Sequence, residues 1–180
     1  FVSFVAPHFP LTAPPHWFYR YWQQDLPMPK LYAKDARPHH PAIDEYAYTV
    51  DYDTHFRSPA DVKRALAGYA GLVSSLDENI GHVLQALQAA GLADSTRVIY
   101  TSDHGDNLGA RGLWGKSTLY EESAGVPLLM AGPDIPVGRV VETPVTHIDF
   151  APTIVDAVGA SALRLPTWQG ASLFEVADGA

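Results

Sequence analysis

Residues 101–116 read Thr-Ser-Asp-His-Gly-Asp-Asn-Leu-Gly-Ala-Arg-Gly-Leu-Trp-Gly-Lys, and this stretch holds the side chains best suited to chemistry. Asp103 and His104 are neighbours, so in a regular strand they would point to opposite faces. If the chain leaves its strand at Ser102, both can turn to one cation. A carboxylate oxygen beside an imidazole nitrogen favours a borderline ion such as Mn²⁺ or Zn²⁺ over a site made only of oxygens. The same pair also suits a hydrogen-bonded turn in which Asp103 caps its own backbone. Lys116 and Arg111 offer positive charge to an anion, or stand solvated on a loop. Gly105, Gly109, Gly112 and Gly115 would let the backbone approach a ligand closely.

These groups need elements to place them. Residues 97–101 form a short β-branched run ending just before Asp103, and α/β sheets place ligand sites after such strands. Residues 126–131 and 139–141 read as further strands of the same buried, parallel kind, and residues 1–5 as another buried strand. Ser58 as N-cap, Pro59 at the first helical position and Asp61 in the first turn start a helix. Its apolar stripe (Val62, Leu66, Tyr69, Val73, Leu76, Ile80, Val83, Leu87) runs to about Ala90, where Gly91 stops it. That is roughly 48 Å of helix. Gly68, Gly71 and Gly81 lower its propensity, which predicts close packing against a neighbour. Asp149 caps a shorter helix ending near Val158, closed by Gly159. Residues 7–57 are rich in Pro, His and aromatics, an excursion with at most short helical turns that walls a pocket. Three regions follow: 1–57, a strand plus this loop; 58–160, the helix–strand core; 161–180, a tail. The fold class is α/β.

The chain has 180 residues, 47% of them hydrophobic, with 12 Lys plus Arg against 20 Asp plus Glu and a formal charge of −8. Such an acidic chain lacks the basic surface that nucleic acids and anionic membranes require. No apolar run approaches a membrane span. The absence of cysteine excludes disulfides, thiolate zinc sites and a cysteine nucleophile within it. A chain that opens at Phe1 directly into a strand reads as a piece of a longer one.

The motif from Thr101 through Asp106, with Leu108-Gly109 and Lys116, resembles the second signature of the sulfatases of the alkaline phosphatase superfamily. Pro7-His8-Phe9-Pro10 resembles their upstream Pro-His-x-Pro segment. The helix around Leu76-Asp77-Glu78-Asn79-Ile80-Gly81, Val126-Pro127-Leu128, and residues 146–154 (His147, Asp149 and Phe150 among them) resemble later segments in order. The Asp-His pair followed by Lys116 is most similar to choline-sulfatases and phosphonate monoester hydrolases. The resemblance implies a partial alkaline-phosphatase-like sheet with flanking helices, its N-terminal strands missing. It implies a hydrolase of a small anionic sulfate or phosphonate ester, in which Asp103 and His104 bind a divalent metal, Ca²⁺ or Mn²⁺ ahead of Zn²⁺. Lys116 would neutralise the anion with Arg111 nearby, and His8 would touch the ester or protonate the leaving oxygen. Family members carry two adjacent aspartates and a formylglycine, made in a Cys/Ser-x-Pro-x-Arg motif, in their N-terminal portion. Neither motif is present here, so both are expected before Phe1, and this chain alone is expected to be inactive. His147 and Asp149 are expected to work structurally, His39, His40, His55 and His82 to be surface or packing groups, and Trp17, Tyr19, Tyr21 and Trp22 to pack. Two other readings stand beside this one: a two-metal phosphatase or mutase, and a non-catalytic module. An open sheet edge would invite homo-oligomers. A cytoplasmic location is expected, with the periplasm as the alternative.

Overall fold

The structure is a computed structural model and describes residues 1–179. It resolves into two compact units, one from residues 1–92 with 104–127, the other from 93–103 with the chain from 128 onward.

The first unit is built on a long helix, α4 (Pro59–Ala89), with shorter helices α1 (Pro15–Trp22), α2 (Pro41–Val50), α3 (Tyr52–His55) and α5 (Glu121–Ala124). The start of α4 is the expected one. Ser58 and Asp61 form a reciprocal capping box with Pro59 behind it, satisfying two of the otherwise orphaned first-turn donors. Its end is also the expected one, with Gly91 at φ 70° just past the C-cap. α1 lies across the helix where Gly71 stands: a Cβ there would come within 2.8 Å of Ala13 Cβ and 3.1 Å of Phe18 N. A Cβ on Gly68 would collide with Leu11 O. Gly81 departs from the expectation, because nothing lies within 4 Å of its missing Cβ. The core cluster is Val62, Ala65, Leu66 and Trp114, with Leu11, Leu26, Tyr32, Tyr52, Phe56 and Leu108 packed on it. The excursion is more helical than expected, since α2 runs for 10 residues with Pro41 at its start. Its segment 26–30 does wall a hollow of about 580 Å³ over α4, lined by Leu26, Met28, Lys30, Leu66, Asp106 and Glu122.

The second unit holds the sheet, two strands β1 (Val98–Thr101) and β2 (Leu128–Ala131), with helices α6 (Phe150–Ala157) and α7 (Leu173–Asp178). The strands are antiparallel, Thr101 facing Leu128 and Val98 facing Ala131, which corrects the parallel expectation. The segment between them leaves and returns at the same sheet end, and such a connection can only join antiparallel strands. Among the described residues each strand has one partner, so each leaves an edge open. Residues 1–5 and 139–141 form no strand. Phe1 and Val5 are exposed, at 118% and 80%. A lone strand has no ladder to satisfy its backbone, so an apolar run without a partner stays irregular. The α/β class holds, with the sheet among the described residues made of β1 and β2. Asp149 is buried and does cap, though at one remove: its carboxylate accepts from Thr146 N at 2.7 Å and Ala171 N at 2.9 Å, closing the 3₁₀ turn before α6. No described helix is long and apolar enough to cross a membrane.

Candidate active site

Lys116 and His8 meet in the first unit. Lys116 Nζ lies 2.7 Å from His8 Nε2, although the two are 108 positions apart in the chain. His8 Nδ1 lies 2.8 Å from Phe9 O. A carbonyl only accepts, so the proton sits on Nδ1 and the Nε2 lone pair accepts from the lysine ammonium. Both side chains are exposed and can be reached by a solute.

The loop behind Lys116 is held from several sides. Asp106 Oδ1 accepts from Leu108 N at 2.8 Å and Gly115 N at 3.1 Å. Asn107, 1% exposed, donates to Gly115 O at 2.7 Å and accepts from Thr118 Oγ1 at 3.0 Å. Ser123 Oγ donates to Lys116 O, and Ser123 O accepts from Gly105 N at 2.8 Å, tying the residue after His104 to the backbone of Lys116. A Cβ on Gly105 would strike Glu122 O, so only glycine permits that approach. Trp114, 1% exposed, stacks on Phe56 with ring centroids 4.0 Å apart, and Tyr46 OH donates to Trp114 O at 2.7 Å. Burial, then the Tyr46 hydroxyl beside it, push the Tyr52 phenol above its ordinary range.

Arg111 is engaged within the protein. Its guanidinium meets Glu122 at 3.0 Å and lies 3.6 Å over the Tyr120 ring, and Lys30 binds the same carboxylate. Partial burial of Glu122 opposes ionisation, but the bonds from Lys30, its own backbone N–H and Arg111 outweigh it and hold the pKa at about 2.

His104 Nδ1 lies 2.8 Å from Gly105 O, which fixes the tautomer with its lone pair on Nε2, the form a metal takes. In the second unit, Asp103 is exposed and its Oδ1 accepts from Ser102 Oγ at 3.3 Å. His147 Nε2 donates to Ser102 O at 2.8 Å, bracing the strand exit beside Asp103. The two consecutive residues thus offer the donor types a divalent cation accepts. Among the described residues no group of three or more His, Asp or Glu is placed to hold a metal ion.

The remaining candidates have structural work. His40 caps α2, accepting from Ala42 N at 3.2 Å, and His39 faces Asp44 at 3.5 Å; His55 and His82 are exposed. Trp17 and Tyr21 hydrogen-bond to Glu78 and Ser74 of α4, and Trp22 stacks on Phe18 within α1; Tyr19 departs from the packing expectation, standing 57% exposed. Asn107, Ser123, Glu122 and Arg37 carry the loop, and no spacing in the sequence points to them. Position inside or beside the glycine-rich stretch was the one available signal, and Arg37 lacked even that.

Residues 1–160 match the family model described as Sulfatase. The choline-sulfatase of Rhizobium meliloti is 34% identical over 179 residues, which is 99% of this chain and 35% of that protein. A sulfatase of Formosa agariphila is 30% identical, over 89% of this chain and 32% of its own. Among solved structures, the phosphonate monoester hydrolase of Silicibacter pomeroyi superposes with a TM-score of 0.83 at 33% identity, covering 96% of this chain and 36% of that one. A further structure, in complex with its substrate D-glucosamine-2-N,6-O-disulfate, gives 0.60 at 33% identity, covering 74% of this chain and 28% of that one. The chain spans about a third of the length of these relatives.

Proposed function

Because the chain belongs to the sulfatase family, we propose that it is part of a metal-dependent hydrolase of sulfuric esters, to which it contributes a cation pair and an anion-binding lysine. The observation that carries this reading is the 2.7 Å contact between Lys116 and His8, on the loop that follows Asp103 and His104. Asp103 and His104 would hold the divalent cation, which when bound would polarise an ester oxygen. Lys116 has two further N–H donors for the equatorial oxygens of a sulfuryl group. His8, with its proton on Nδ1, has none to give from Nε2 as it stands. It becomes an acid for the departing alkoxide only after Nε2 takes up a proton, and the nearest source is the Lys116 ammonium. Arg111, bound to Glu122, would act on substrate through the loop and not by contact. The formylglycine nucleophile belongs to the two-thirds of the relatives' length that this chain does not span, so the 180 residues by themselves are expected to show no turnover.

The test is made in a chain extended to the full length of its relatives. Choline, aryl and sugar sulfates are assayed beside an aryl phosphonate monoester. Sulfate ester hydrolysis, lost together with bound metal in Asp103→Ala, is the expected result; unaltered turnover in that variant would sink the metal role. A preference for the phosphonate would move the enzyme to the second reading, a phosphonate monoester hydrolase, favoured by the 0.83 superposition.

A further inference from the structure

We propose that Arg37, braced by Asp53, is a positioning residue that holds the turn at 109–112 and so sets where Lys116 stands; its importance to hydrolysis rests on the role given to Lys116 above. The turn is conformationally costly. Leu108 (φ 45°), Gly109 (83°), Arg111 (60°), Gly112 (66°) and Gly115 (73°) all lie in the left-handed region. Non-glycine residues there are strained and persist only where the surroundings fix them. Arg37 supplies that fixing from far away in sequence. Its Nε donates to Arg111 O at 2.9 Å and one terminal nitrogen to Gly112 O at 3.4 Å. That same nitrogen, Nη2, also donates to Asp53 Oδ1 at 2.8 Å, and Nη1 donates to Asp53 Oδ2 at 3.4 Å. The guanidinium side chain is 9% exposed, so the Asp53 partner is required to hold its charge there.

Gly112 is shaped to this arrangement. A Cβ at that position would come within 2.7 Å of the Arg37 terminal nitrogen, so the absent side chain is the space the guanidinium occupies. The N–H of Arg111 is taken as well, donating to Lys30 O at 2.9 Å, and its side chain by Glu122. From Gly112 the chain enters the core directly through Leu113 and Trp114, at 0% and 1% exposure, and then reaches Gly115 and Lys116. A turn locked at one end and a buried tryptophan at the other leave Lys116 little freedom of origin. A planar fork can hold two consecutive carbonyls and a carboxylate together, and a lysine cannot.

The test needs no substrate, so its failure is separate from failure of the hydrolase reading. The 180-residue chain is labelled with ¹⁵N in its histidine rings. Lys116→Ala supplies the His8 ring signals with the lysine contact removed. In Arg37→Met and in Arg37→Lys, the His8 signals are expected to move to the Lys116→Ala positions, while the His147 signals and the far-UV circular dichroism stay unchanged. If Arg37→Met does not fold, Asp53→Asn, which leaves the guanidinium but weakens its brace, is expected to give the same shift in part. His8 signals at wild-type positions in a folded Arg37 or Asp53 variant would overturn the proposal. So would identical wild-type and Lys116→Ala spectra, and so would loss of fold in every variant, which would assign the clamp to stability alone.

Discussion

The two ends of α4 carry the same apolar periodicity and lead different lives. From Pro59 to Leu76 the helix buries Val62, Ala65, Leu66, Ala67, Gly68, Gly71 and Leu76, under α1, the excursion and the loop that holds Trp114. From Asp77 to Ala89 it buries nothing, and Val83 and Leu84 stand 38% and 45% exposed. A stripe in a sequence states what a helix can bury; a partner decides whether it does. The glycines report the same division, Gly71 under α1 and Gly81 facing open space.

The division can be broken by substitution, read in each case from the melting of the 180-residue chain. Leu66→Ala, in the packed half, is expected to cost about 2–5 kcal/mol. A loss below about 1 kcal/mol would mean that the cover over this half is loose. Gly71→Ala forces a methyl against Ala13 and the α1 backbone and should cost about 1–3 kcal/mol. Glu122, which ties Lys30 and Arg111 into the cover, makes the packed half acid-sensitive. Its folded pKa, about 2, lies below the ordinary 4.5, so the unfolded chain binds more protons in that interval and stability falls as pH drops from about 4.5 to 2. The loss is about 2 kcal/mol after allowance for solvent screening, and Glu122→Gln should flatten it; an unchanged acid limb in that variant would refute the assignment. In the open half the sign reverses. Gly81→Ala meets nothing and should stabilise by up to about 1 kcal/mol, while Leu84→Ala should stay within about 0.5 kcal/mol. A large loss in either would show that this face has a partner.

What could be read in the sequence follows the same line between local and distant causes. The cap at Ser58, the stop at Gly91 and the stripe between them are local, and the structure carries all three. Asp103, His104 and Lys116 stand out together in the sequence because they sit on one short glycine-punctuated stretch, and their joint role is the proposal made above. The strand expected at residues 1–5 failed because a strand exists only through a partner, and hydrophobicity does not supply one. The direction of β2 failed because it depends on where a 26-residue connection, 102–127, returns. Arg37, Asp53, Asn107 and Ser123 act through contacts that no spacing rule encodes; Arg37 reaches its carbonyls across 74 and 75 positions.

The central claim is that Lys116 and His8 share one proton relay and act as a unit. Its most direct test is a double-mutant cycle on kcat/KM in a chain extended to the full length of its relatives, with Lys116→Ala, His8→Ala and both together. The account predicts that each single change lowers kcat/KM by about 10² or more, and that the double variant is scarcely worse than the poorer single one. Losses that multiply, or a single variant with wild-type turnover, would contradict it.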